Sequence, residues 1–218
     1  MIDFHTHTLF SDGELLPSEL VQRAKIIGYE TIGITDHVDE SNLEQVIKGI
    51  IKVTEEINKL GEIFVIPGIE ITHVPPPHIP CLVEKARKEG AKLIIVHGQT
   101  ISEPVANGTN LAALKSDIDI LAHPGIINSQ EVELAKKNNI YLEITSRRGH
   151  AYTNGHVLRL ALEAGAKLII NSDSHAPFDL LTEEWVEKIA LGAGMTKEQF
   201  LSTKHNALEL SEKIKKRY

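Results

Sequence analysis

The chain carries a single cysteine, Cys81, so an internal disulfide and a cysteine-built zinc knuckle are both excluded. A reducing compartment suits such a sequence. No apolar run approaches the roughly 20 residues that a membrane-spanning helix needs. The opening Met1-Ile2-Asp3-Phe4-His5 carries charge at once, unlike the basic-then-apolar layout of a signal peptide, and a cytoplasmic location is expected. Glycine-rich phosphate loops of the G-x-G-x-x-G or Walker type are missing, which removes the common nucleotide cradles. Positive charge is also in deficit: a net charge of −7 makes long nucleic acid a poor partner for the molecule as a whole. The basic stretch Lys213 to Arg217 is a local exception and reads as a solvated final helix turn.

What is present is an ordinary globular composition, 42% hydrophobic and 24% charged over 218 residues, enough for one sizeable core and a single domain, 1–218. Seven short β-branched runs recur, at 2–4, 31–35, 63–66, 92–96, 118–121, 140–144 and 167–170. Their near-continuous apolarity fits strands buried on both faces of a parallel sheet. Helix signals lie between them. Pro17 is placed to open a helix, Ser41-Asn42-Leu43-Glu44 and Thr196-Lys197-Glu198-Gln199 match the capping box, and Gly90 and Gly165 stand where helices end. The proline-rich stretch His73 to Pro80 reads as a rigid loop, and Trp185 as a helix anchor in the core. Strand–helix alternation permits an open sheet or a closed barrel. The polar residues decide between them, because a barrel gathers every strand's carboxyl end around one axis, whereas an open sheet concentrates its site at one switch point.

Here nearly every strand ends in a metal-ligand type: His5 and His7, Asp36-His37, Glu70, His97, His123, Glu143, then Asp173 and His175. In extended chain, residues two apart point the same way, so His5 with His7 and Asp173 with His175 can each grip one ion. A lone His-x-His is weak evidence, since an isolated strand-end histidine is more often a satisfied polar residue. Six histidines at successive strand ends, with Glu70 and Asp173 among them, are a different matter. Imidazole and carboxylate together neutralise divalent charge and suit zinc, manganese or iron.

The run His5-Thr6-His7-Thr8-Leu9-Phe10-Ser11-Asp12-Gly13, with Ile34-Thr35-Asp36-His37, Pro67-Gly68-Ile69-Glu70, Val96-His97-Gly98, Leu121-Ala122-His123-Pro124-Gly125 and Asn171-Ser172-Asp173-Ser174-His175, resembles the motifs of the PHP (polymerase and histidinol phosphatase) family. The resemblance runs from Ile2 to about His175. It implies a distorted seven-stranded (β/α)7 TIM-like barrel holding two or three divalent ions. Within such a barrel, neighbourhood around the axis divides the ligands. On that resemblance, His5, His7, Asp173 and a bridging Glu70 would hold one ion; Glu70, His97 and His123 a second; His175, His37 and Asp12 a third.

The implied activity is metal-assisted hydrolysis of a small phosphate monoester, as in histidinol-phosphate phosphatases, with Glu70 and Asp173 at the catalytic centre and a hydroxide shared by two ions as attacking group. Arg147, Arg148 and His150 follow the sixth strand and either grip the phosphate or stand as solvated loop charges. Glu143 either orients a neighbour or binds a more distant ion, and Asp36, alternating away from His37, orients a neighbour. His73, His78, His156 and His205 fall outside the motifs, His73 being near enough to Glu70 to approach substrate. Two rival readings stay open. An amidohydrolase-type barrel also opens with His-x-His, but it commonly bridges its ions with a carboxylated lysine, where this chain has Glu70. A non-catalytic barrel could instead serve as scaffold in a nucleoprotein particle.

Overall fold

The computed structural model describes all 218 residues, and its centre is a sheet in which every pairing is parallel. The strands are β1 (Ile2–Asp3), β2 (Thr31–Ile34), β3 (His37–Val38), β4 (Phe64–Ile71), β5 (Leu93–His97), β6 (Ile120–Ala122), β7 (Tyr141–Thr145) and β8 (Leu168–Asn171). They run in the order β1-β2-β4-β5-β6-β7-β8, with β3 a two-residue offshoot paired to β4. The ends of that row meet. Thr6 bridges Ser174 in parallel sense, and the His7 N–H donates to the Ser174 carbonyl at 2.8 Å. Polar side chains finish the seam, Asn171 Oδ1 accepting from the Phe4 N–H at 3.0 Å and Asp3 Oδ2 from the Ser172 N–H at 3.1 Å. The result is the distorted, nearly closed seven-stranded barrel expected from the sequence.

Helices α1 (Pro17–Ile27), α2 (Leu43–Asn58), α3 (Ile79–Lys88), α4 (Thr109–Leu114), α5 (Ser129–Lys137) and α6 (Asn154–Ala164) alternate with the strands, and α7 (Glu183–Gly192) and α8 (Lys197–Lys215) follow. Pro17 is the first residue of α1, and Gly165 ends α6 in the left-handed region at φ 75°. The Thr196–Gln199 capping box is present, both bonds made. The Ser41 box is not: Asn42 takes the cap position of α2, and the Ser41 hydroxyl donates instead to Asp39 at 2.6 Å. A box the sequence reading passed over, Asn128 with Glu131, opens α5. The stretch 73–80 is only partly loop, because Pro76–His78 is a 3-10 turn and Ile79-Pro80 already begin α3.

Side-chain alternation along the strands sorts the core into two parts. Ile94 and Val96 of β5, like Leu142 and Ile144 of β7, face the helices. Leu93 and Ile95, Tyr141, Ile66, Ile120 and Ile169 face the axis, where they meet Ala207, Leu210 and Ile214 of α8. Helix α8 therefore lies against the amino ends of the strands, and Lys92 Nζ donates to the Arg217 carbonyl there at 2.8 Å. Continuing the axis-facing parity upward gives Glu70, His97 and Glu143. Apolar filling at one end and ligand types at the other are thus one pattern of alternation. Trp185 corrects its expectation: it is 55% exposed on α7, with Lys188 Nζ 4.8 Å from its ring centroid.

Arg217 corrects another, since it is no solvated end. Its guanidinium binds Asp119 at 2.7 Å, and Arg87 binds the same buried carboxylate at 2.7 Å. Burial alone would raise the Asp119 pKa, but these two arginines overturn that and hold it below the ordinary aspartate range. A depressed folded-state pKa contributes stability above the unfolded value of about 3.9, lost as pH falls through the folded one. Asp119→Asn should therefore lower stability at neutral pH by about 3 kcal/mol, as expected for breaking a buried pair from one side. In urea melts, the gap to the parent protein should narrow only below about pH 4.

Candidate metal centre

The carboxyl ends of the strands bring nine of the sequence-predicted residues to one mouth. His5 and His7 leave β1 on extended chain, both almost fully buried. His5 Nε2 lies 3.3 Å from Glu70 Oε1 and 3.7 Å from Asp173 Oδ1, and His7 Nε2 lies 3.3 Å from that same Asp173 oxygen. His123 Nε2 is 3.7 Å from Glu70 Oε1 and 3.6 Å from Asp173 Oδ2. Strand β3, invisible in the sequence, has a specific effect. It sets His37 in register opposite Glu70, so that His37 Nδ1 reaches Glu70 Oε2 at 2.7 Å. Nearer the opening, His175 and His37 direct Nε2 at Asp12 Oδ1, at 3.2 and 3.5 Å.

Groups close enough to share an ion are His5, His7 and Glu70; His5, His123 and Asp173; and His7, Asp12, His37 and His175. A further group joins His97 and His123 to His150, a residue the sequence reading had set aside for phosphate. One more joins His73, His97 and Glu103, of which neither His73 nor Glu103 belonged to the expected ligand set. Glu103 sits in a loop with no periodicity, and nothing in the sequence marked it.

Strand parity alone does not aim every ligand. His123 and Asp173 lie at φ 26° and 54°, the left-handed region that non-glycine residues avoid, and His73 at 54°. Such strain costs of order 1–3 kcal/mol per residue and collects at functional sites. Gly125, at φ 66°, permits the close approach behind this mouth, since a Cβ there would lie 1.8 Å from the Gln99 carbonyl oxygen.

Beneath the ligands lies Glu143, for which the sequence left two alternatives. It is fully buried, its Oε1 within 2.8 Å of His5 Nδ1 and accepting from Asn171 Nδ2 at 2.8 Å, its Oε2 accepting from the His123 N–H at 3.1 Å. Its contacts are those of a positioning residue, one with the His5 ring and one with the His123 backbone. Asp36 likewise holds the His7–Asp12 turn, accepting from the Thr8 N–H, the Thr8 hydroxyl and the Ser11 hydroxyl at 2.7–2.8 Å. Arg147 lines the mouth with its guanidinium 3.3 Å from Asp179, while Arg148 is exposed and borders an adjoining groove. His78, His156 and His205 lie apart from these groups.

The electrostatics divide sharply. Burial would lower the His5 pKa, yet Glu143, Glu70 and Asp173 hold it well above the usual value. Burial lowers His7 and His123, and the histidines around them add to the effect. Glu70 is held well below the carboxylate range by His5 and His37 despite burial, whereas burial pushes Asp173 up to about 6. His5 Nε2, both ring nitrogens of His7, Glu70 Oε1 and His123 Nδ1 are buried without a hydrogen-bond partner. Unpaired buried polar atoms are costly, and these are the donor types of a zinc, manganese or iron site, so the residues fit a multi-metal centre.

If Glu143 works by orienting His5 and His123, Glu143→Ala should weaken metal binding by about 10–100-fold, the usual cost of losing such a partner. Chelator-competition titrations measure this. Unchanged affinity in a folded variant would sink the assignment.

The PHP domain family matches residues 3–190. An uncharacterised protein of Methanocaldococcus jannaschii is 48% identical, the alignment covering 97% of this chain and 99% of that one. Among solved structures, a chain of archaeal ribonuclease P with mature tRNA superimposes with a TM-score of 0.75 at 15% identity, covering 98% of this chain and 91% of that one. Histidinol phosphate phosphatase of Lactococcus lactis, in complex with zinc, L-histidinol and phosphate, superimposes with a TM-score of 0.61 at 19% identity, covering 89% and 94%. The family match spans most of the sequence and the barrel is the one its neighbours share: the chain belongs to the PHP domain family.

Proposed function

We propose that this protein is a metal-dependent phosphoesterase acting on a small phosphate monoester. The observation that carries the reading is the set of unpartnered imidazole and carboxylate atoms buried directly behind the Asp173 and His37 wall of an open cleft of about 450 Å³. Val38 is the one hydrophobic residue lining that cleft, a setting for a hydrated, charged substrate rather than an apolar one.

His5, His7, Glu70 and Asp173 would hold one zinc, manganese or iron ion, Glu70 with His97 and His123 a second, and Asp12, His37 and His175 a third. When bound, divalent ions there supply Lewis acidity and lower the pKa of water. The chain's own contribution is position. Glu70 turns one oxygen toward His5 and His123 and the other toward His37, so a single carboxylate ties three loops together. Asp173, on the segment bridged to His5–His7 across the seam, faces His5, His7 and His123. Arg147 offers a planar guanidinium at the cleft wall, suited to two parallel bonds with phosphate oxygens. His150, its Nδ1 sharing a 2.7 Å hydrogen bond with the Thr100 hydroxyl, is aimed toward the same space. Arg148, from the adjoining groove, meets the part of a substrate that extends beyond the mouth. No helix is long and apolar enough to cross a membrane.

The ribonuclease P likeness favours a second reading, a scaffold within a nucleoprotein particle. Such a role has no use for a complete ligand set, and the net charge of −7 opposes RNA binding. The amidohydrolase alternative is weakened by the absence of any lysine in the cleft.

Elemental analysis of purified protein should find two or three equivalents of zinc, manganese or iron, with turnover of small phosphate monoesters, histidinol phosphate among those screened. His7→Ala and Glu70→Ala should each cut turnover by more than about a hundredfold, beyond the loss expected for residues that merely orient ligands. Near-normal rates in folded, metal-verified variants would rule out the site. Metal-free protein with no activity on adding manganese or zinc, but with tight RNA binding, would favour the scaffold.

A further inference from the structure

The segment between β5 and α4 crosses the mouth and lowers one carboxylate, Glu103, into it. Its Oε2 stands 3.2 Å from His97 Nε2 and 3.0 Å from His73 Nε2, and its Oε1 stands 3.5 Å from His150 Nε2. Three imidazoles from three separate segments thus turn the same ring atom toward one acid. Two of them, His97 and His150, also converge with His123, which is 2% exposed and whose Nδ1 has no partner. The other ring nitrogens are tied back: His97 Nδ1 lies 3.1 Å from the Gly98 carbonyl oxygen and His150 Nδ1 is bonded to Thr100. Each ring therefore presents Nε2 by construction.

The two loops meet closely. Gly149, at φ 88°, lies where a Cβ would come within 2.8 Å of Ser102 Oγ, so only glycine lets the Glu103 loop sit this near to His150. Glu103 itself differs from its partners in one respect. Its side chain is 38% exposed against 3% for His97, so it can leave without opening the core. Carboxylate and phosphate oxygens are chemically alike, both hard anionic donors to a metal and both acceptors for an imidazole N–H.

We propose that Glu103 is a displaceable arm of the metal centre: its carboxylate closes the second ion position, at His97 and His123, from the side of His150, and a phosphoryl oxygen of the incoming substrate takes its place. This rests on the metal-centre reading and adds a ligand outside the expected set. His73, at the rim, holds the arm in the closed position through Nε2. The arm keeps the centre's inner side chains from exchanging with adventitious anions, and an anion must outcompete an internal carboxylate in order to bind.

The test compares the parent protein, Glu103→Gln and Glu103→Ala, each loaded with cobalt(II) and titrated with inorganic phosphate by calorimetry and visible absorption. In both variants one cobalt ion should bind about tenfold more weakly, and phosphate should bind more tightly than in the parent. Spectra of parent and variants should differ before phosphate is added and coincide after it. Spectra that still differ with phosphate bound, phosphate affinity that falls, or a Gln variant indistinguishable from the parent would each overturn the arm. Parent protein that takes up no cobalt overturns the metal centre as well, which separates the two failures.

Discussion

Glu70 is a carboxylate with no exposure to water, and the structure around it is organised to make that tolerable. Removing an ionised carboxylate from water costs several kcal/mol even after relaxation, unless opposite charge and hydrogen bonding repay it. Here the opposing charge comes from His5 and His37, reached from β1 and β3, while Asp173 shares the same space at a pKa pushed up to about 6. Two acids this close, in surroundings this dry, attract positive charge. Imidazolium can provide it, and so can divalent cations, for which the unpartnered nitrogens of His7 and His123 are further donors.

That demand reaches outward through the barrel. Glu143 and Asn171 form a column beneath His5, and Asn171 also accepts the Phe4 N–H across the seam. The incomplete ladder between the first and last strands is therefore stitched by the same side chains that steady the ligands. The alternation of strand residues then separates tasks along the axis. Ile95 and Ile120 fill the barrel over α8, and one step higher in the same parity His97 begins the polar mouth. At the opposite end the buried Asp119 uses ordinary arginine pairing, bound by both Arg87 and Arg217.

Most of this architecture was legible because buried parallel strands read as apolar runs, each with a ligand type at its end. What escaped has identifiable reasons. Strand β3 is two residues long and cannot show a period. Pro67-Gly68 looks like a turn, yet both lie inside β4, because Gly68 packs so near the Leu93 carbonyl that a Cβ would stand 2.8 Å from it. Trp185 has a core residue's chemistry but sits on an outward face of α7, and Arg217 has a tail residue's position but a buried partner. Ser41 satisfied a capping pattern and then found a better acceptor in Asp39. Glu103 and His73 come from irregular segments whose contacts are set by tertiary packing, and His150 was noticed for its charge rather than for its place beside His97 and His123.

The cost of the mouth bears on what kind of protein keeps it. A barrel retained only for its outer surface gains nothing from buried polar atoms without partners, each of which destabilises by about 1–3 kcal/mol. Five such atoms converge here, together with two ligand residues, His123 and Asp173, in a backbone region that adds strain of similar size. Apolar residues of similar volume would relieve the first term, as replacements of buried ionic groups often do. A bound group that meets those atoms together would offset this cost, and divalent cations bridged by carboxylates have the chemistry to do so. A scaffold does not require this cluster, whereas a ligand-binding role does.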